Sequence, residues 1–255
     1  MADTKLSGLP RRESAVGDPF NDLHYIVLSE PAADADKERS VTPWDLYVGY
    51  ERTTARFKTD LIVMDMPTYG NAGSSNQVDQ NHQGIARIYG TNADDGGGFW
   101  GTYRGVCMQG GAIRLLFIVK TEDTLSTSGD RYIVQMGLPA EGDSQLNQEG
   151  IYVKYSDNVN GGRWQLVTRS GGVESTADTG VTVQADTWYR IQIDIAADAS
   201  SASCTINGGS PVTVSTNVYD QDATLNVGFR KVSGTNERGL VVDFISFMKH
   251  LQAGR

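Results

Sequence analysis

The sequence predicts an all-β protein, two packed antiparallel sheets forming a sandwich of jelly-roll type, behind a short N-terminal segment of different character. Three observations predict it. From about residue 53 onward, roughly ten segments carry apolar residues at every second position, the period of a half-buried strand. Between them stand Asn160-Gly161-Gly162, Ser170-Gly171-Gly172, Asn207-Gly208-Gly209 and the glycine-bearing stretch 234–236, which are hairpin turn signals. Nowhere is there an apolar stripe long enough for a three-turn helix, and the 29 glycines in 255 residues exceed the usual share of about 7%.

The predicted strands are 57–66, 112–120, 131–137, 150–155, 163–168, 188–195, 203–206, 211–215, 225–230 and 240–248. In 188–195, Tyr189, Ile191, Ile193 and Ile195 would line a core face and Arg190, Gln192 and Asp194 a wet one. Segment 112–120 is apolar on both faces, as expected of a central strand covered on each side. Ten strands with tight turns fit two packed sheets better than a small closed barrel, and no 20 to 50 residue repeat points to a propeller or solenoid. Residues 68–105, polar and glycine-rich with only 85–89 strand-like, read as a long functional insertion.

Residues 1–52 form a separate module and 53–255 the sandwich domain. The first fifty residues hold five basic and nine acidic side chains, nearly half of the net charge of −9. Gly17-Asp18-Pro19 reads as a turn, 23–30 as a strand and 31–37 as a polar connector. Thr42 before Pro43 reads as the cap of a short helix carrying Trp44, Tyr47 and Val48 on one face. One strand and one short helix cannot close a core, so this module is expected to fold against a partner surface.

Charge and composition exclude several classes. An acidic chain with pI near 4.8 is a poor match for nucleic acid or an anionic membrane. No apolar run approaches the length of a membrane span, and the charged start lacks a secretion signal, so synthesis in a cytoplasm is expected. Cys107 and Cys204 are too far apart for a CxxC pair and read as buried thiols. His24, His82 and His250 lack ligand spacing, and no metal or cofactor is expected.

Two stretches resemble known families. DTKLSGLP, the Gly-Asp-Pro turn, LHYIVLSE and SVTPWDLY resemble the N-terminal attachment module of tail fibres and other appendages of tailed bacteriophages. ADTWYRIQIDI, SASCTINGG, LNVGFRKVSG and LVVDFISFMKH, in that order, resemble concanavalin-like (laminin G-like) jelly rolls. The first resemblance implies a virion protein docked to other structural subunits through Leu6, Leu9, Tyr25, Val27, Trp44 and Tyr47, trimeric, with the jelly roll presented to a host-surface polysaccharide or protein. A head fibre or capsid decoration protein is the alternative site of attachment, and a polysaccharide depolymerase the enzymatic alternative.

Catalytic signatures are missing from the sequence. Asp34-x-Asp36-x-Glu38 is the nearest approach to a paired-carboxylate glycosidase strand, but it sits in the connector. Tyr189 and Arg190 could be cast as a lyase pair, yet a tyrosine alternating with isoleucines reads as core. Gly96, Gly98 and Gly101 satisfy G-x-G-x-x-G without the following helix that a dinucleotide needs. A non-enzymatic reading follows. Its candidate site is Asp94, Asp95, Trp100, Tyr103 and Arg104 on one glycine-rich loop, with Trp100 and Tyr103 stacking on a sugar and the polar groups bonding its hydroxyls. Phe99 and Trp100 could instead anchor the loop under the sandwich, and the two aspartates could hold Ca²⁺ or simply be solvated. Trp164 and Trp188 read as packing residues.

Overall fold

The computed structural model describes residues 82–101, 106–140 and 148–251, together with short strands before them. Among the described residues, nineteen strands follow one another. Three lie within residues 1–52: β1 (Arg11–Arg12), β2 (Tyr25–Ser29) and β3 (Glu38–Val41). Then come β4 (Phe57–Lys58), β5 (Val63–Asp65), β6 (Thr68–Tyr69), β7 (Gly73–Asp79), β8 (His82–Gly90), β9 (Gly96–Gly101), β10 (Gly111–Thr121), β11 (Tyr132–Pro139) and β12 (Gly150–Tyr155). The last seven are β13 (Arg163–Ser170), β14 (Val173–Thr182), β15 (Trp188–Ile195), β16 (Ala202–Ile206), β17 (Val212–Val214), β18 (Asn226–Lys231) and β19 (Arg238–Leu251).

The strands build a seven-stranded sheet, β17-β16-β15-β10-β19-β8-β7, and a nine-stranded sheet, β14-β13-β12-β11-β18-β9-β5-β4, with β6 also paired to β9. Each strand pairing is antiparallel. The fold is a jelly-roll β-sandwich, as expected. Each of the ten expected strands is present, with 57–66 divided into β4 and β5.

Three expectations change. Residues 68–105 are not an insertion: β6, β7, β8 and β9 occupy most of the segment and belong to the two sheets. Glycines at 96–98 carry no side chains, so β9 leaves no period-two signal, and its backbone is fixed by β18 on one side and by β5 and β6 on the other. The polar edge strand β14 was likewise missed, because its inward positions are small or only partly buried, Ser175, Ala177, Thr179 and Val181. Among the described residues of 1–52 there are three strands, paired in the order β1-β2-β3, rather than one. The expected helix after Thr42, with Trp44 and Tyr47, and residues Leu6 and Leu9 lie outside the described residues.

Turn chemistry follows the sequence. Ser170 pairs with Val173 across Gly171 and Gly172, whose φ values of 62° and 80° are those of a two-residue hairpin turn whose twist matches the strands. Inside the sandwich, Phe229, Tyr132, Tyr155, Trp164 and Tyr189 form a continuous aromatic chain with centroids 5.3 to 5.8 Å apart. Tyr189 stands on the seven-stranded sheet and the other four on the nine-stranded sheet, so this chain ties the two layers together. Trp164 and Tyr189 are core residues, and Trp188 lies half-buried beside the Lys120 ammonium. Cys204 is buried, and burial pushes its thiol up to about 12, whereas Cys107 is exposed, contrary to expectation.

At the end of the sandwich bearing the turns after β8, β10 and β18, ion pairs join the loops. Lys231 is completely buried, paired with Asp130 and donating to the Asn236 carbonyl at 2.9 Å. Arg238 reaches the other Asp130 oxygen at 2.5 Å. Nearby, Arg87 donates to Glu122 and, at 2.7 Å, to Glu237. A buried lysine is costly unless it is paired and hydrogen-bonded, which this arrangement provides.

Candidate functional site

The loop read from the sequence does not exist as one loop. Asp94 and Asp95 precede β9, whereas Tyr103 and Arg104, which lie outside the described residues, follow it. Asp95 is buried, and its carboxylate accepts from the amides of Thr91, at 3.0 Å, and Asn92, at 2.6 Å. Those bonds hold the β8–β9 turn. Asp94 is exposed, has a left-handed φ of 68° and pairs with Arg230 at 2.6 Å. Trp100 lies in β9 between Asn226 and Asp65 in the register. Tyr25 and Val27 are in β2, opposite Arg12 of β1 and Ser40 of β3 respectively. Among the described residues, no group of three or more His, Cys, Asp or Glu is placed to hold a metal ion.

A different surface stands out, the outer face of the nine-stranded sheet. Alternation sorts its residues. In β11, Val134 and Met136 face the core, so Gln135 faces out. In β12, Ile151, Val153 and Tyr155 face the core, leaving Tyr152 and Lys154 outward. In β18, Asn226 lies between the core residues Leu225 and Val227. Across the sheet the register aligns Asn226, Gly137, Tyr152 and Val167 in one row and Gly228, Gln135, Lys154 and Gln165 in the next. Gly150 and Arg169 begin a third row, which Glu174 continues.

Outward positions of an antiparallel sheet are ordinarily wet. Here Tyr152 and Val167 are 0% exposed, Gln135 1% and Asn226 5%, while Lys154, Gln165 and Arg169 around them are half-buried. Among the polar atoms buried in this recess without a hydrogen-bond partner are the Tyr152 hydroxyl and the Asn226 side-chain oxygen. Each such atom costs about 1–3 kcal/mol when left unsatisfied. Burial, helped by the nearby Glu174, pushes the Tyr152 phenol well above its ordinary value, so it stays protonated and can donate. The same burial lowers the Lys154 ammonium.

The arrangement offers donors and acceptors fixed on rigid strands, with the Tyr152 hydroxyl protonated in the neutral range and able to donate. Sequence reasoning missed the recess because its polar residues are spread over three apolar strands, Gln135 in β11, Tyr152 and Lys154 in β12 and Asn226 in β18. The only trace is Gln135 at an outward position within YIVQMG, Tyr152 and Lys154 within GIYVKY, and Asn226 within LNVGF.

Fold and face together define a concanavalin-like jelly-roll β-sandwich with a recessed polar face. The profile of the SO2946-like C-terminal domain matches residues 81–243, and the chain belongs to the SO2946-like family through that domain. The crystal structure of a protein of unknown function, SO2946 from Shewanella oneidensis MR-1, superposes with a TM-score of 0.51 at 14% identity, over 75% of this chain and 80% of that one. The binding domain of botulinum neurotoxin serotype D gives 0.50 at 10% identity, over 78% of this chain and 48% of that one. The Emp47p carbohydrate recognition domain gives 0.49 at 13% identity, over 72% and 90%. Alginate lyases occur among the matches at similarly low identity. At such identities the likeness is one of fold. No curated protein matches the sequence.

Proposed function

We propose that the chain is a structural, non-enzymatic virion subunit of a tailed phage, attached through residues 1–52 and presenting the sandwich as a lectin-like domain to a host-surface glycan. The observation that carries the glycan part is the recess on the nine-stranded sheet, where the Tyr152 hydroxyl and the Asn226 oxygen are buried without partners. Sugar hydroxyls both donate and accept, so one sugar unit can satisfy the two atoms together. The attachment part rests on the resemblance of the opening segment to phage appendage modules. Assembly as a homotrimer on the particle would supply that segment with its missing surface and would turn weak single-site affinity into useful adhesion.

Purified chain applied to immobilised host polysaccharide tests the glycan part. Binding is expected, with no unsaturated or reducing ends released. Release of either product would assign a depolymerase instead. Light scattering at micromolar concentration is expected to give a trimer, and labelling of imaged particles is expected to place the chain on the tail. A monomer that decorates no particle would overturn the virion reading and leave a free sugar-binding domain.

A further inference from the structure

We propose that the recess takes an acidic sugar, with Lys154 receiving the ligand carboxylate; this rests on the glycan-binding reading above. Lys154 stands near the middle of the face, in register with Gln135 on one side and Gln165 on the other. It is half-buried, yet among the described residues it forms no hydrogen bond or ion pair. The other cations on this face are already engaged. Arg230 pairs with Asp94. Arg169 lies opposite Glu174 in the register and has a partner of its own. Of the two carboxylates near Tyr152, Glu149 accepts from the Gly172 amide at 2.7 Å, and Glu174 stands at the exposed edge strand. Glu174 acts on Lys154 through space from that edge strand, without a hydrogen bond or ion pair between them, so Lys154 is the cation of this face whose direct contact is left for a carboxylate entering from solvent.

The neighbours suit the remainder of such a ligand. Tyr152 is diagonal to Lys154 in the adjacent row and offers a buried O–H donor, while the Asn226 oxygen offers an acceptor in the same row as Tyr152. From β18 through β11 and β12 to β13 there are three strand spacings of about 4.8 Å, together about 14 Å, the span of a short oligosaccharide lying across the strands. The ammonium is partly desolvated by burial, which strengthens an ion pair formed there relative to one at an open surface.

The test is calorimetric titration of the full chain with hexamers of galacturonate, mannuronate and glucuronate, each beside its methyl ester, and with neutral gluco- and manno-hexamers. At least one uronate is expected to bind about tenfold more tightly than its ester, a margin ordinary for a charge-assisted bond. Lys154→Met should erase that margin, and Lys154→Arg should keep most of it. Thermal melts of both variants confirm folding. Equal binding of acid, ester and neutral sugars, or a Lys154→Met variant that keeps the preference, overturns the acidic-sugar inference while the glycan-binding reading stands. Failure of every probe to bind defeats both.

Discussion

Tyr152→Phe separates a binding role from a structural one, because the two predict opposite effects on stability. The ring is fully buried on the outer face of β12, and its hydroxyl has no partner. Deleting a hydroxyl that is satisfied inside the protein would destabilise it, whereas deleting an unsatisfied one removes a penalty of about 1–3 kcal/mol without disturbing the packing of the ring. Part of that penalty is recovered by local relaxation, so a gain of about 1 kcal/mol is expected, which for a domain of this size raises Tm by roughly 2–4 °C. Binding of the host polysaccharide should weaken by about three- to tenfold, the worth of one hydrogen bond. Calorimetric melts and titrations of the wild-type and variant chains measure both quantities. A fall in Tm of similar size would mean that the hydroxyl holds a structural partner, and unchanged affinity beside a raised Tm would remove Tyr152 from the site.

The ion-pair network supplies further predictions. Lys231→Met leaves the buried Asp130 carboxylate with Arg238 as its remaining cation and should cost about 3 kcal/mol in urea unfolding; a loss under about 1 kcal/mol would show that the pair adds little. Gly234→Ala should destabilise by at least about 1 kcal/mol, since φ is +83° and the new Cβ would fall on the Asp130 side chain; an unchanged urea midpoint would contradict that geometry. The Arg131 hydrogen bond, with Ser126, holds the Asp157 carboxyl below the usual range; desolvation would raise Asp130, but the Lys231 and Asn236 contacts outweigh it and lower it too. Because both values are lower in the folded chain than in the unfolded one, their stabilisation is complete above the ordinary carboxylate pKa of about 4 and is lost as pH falls further. Urea midpoints should therefore drop as pH falls below about 4, and Asp157→Asn should flatten that slope. A slope unaltered by Asp157→Asn would assign the acid sensitivity elsewhere.

Periodicity alone determined most of the fold. Tyr189, Ile191, Ile193 and Ile195 alternate with polar residues, and all four are buried in β15, because side chains on opposite faces of a strand meet opposite environments wherever the strand lies. The tight turns were legible for a similar local reason: Gly171 and Gly172 adopt the backbone angles that a two-residue hairpin needs and that other residues resist. The glycine run in β9 was not legible, since a strand without side chains shows no alternation and is defined by the strands on either side of it. The recess was equally hidden. Gln135, the Tyr152–Lys154 pair and Asn226 are distant in sequence, and only the antiparallel order β18-β11-β12 brings them side by side. Local spacing decides which residues a strand buries. Which buried polar residues become neighbours is decided by strand order and register, properties of contacts between distant segments, and so belongs to the tertiary structure.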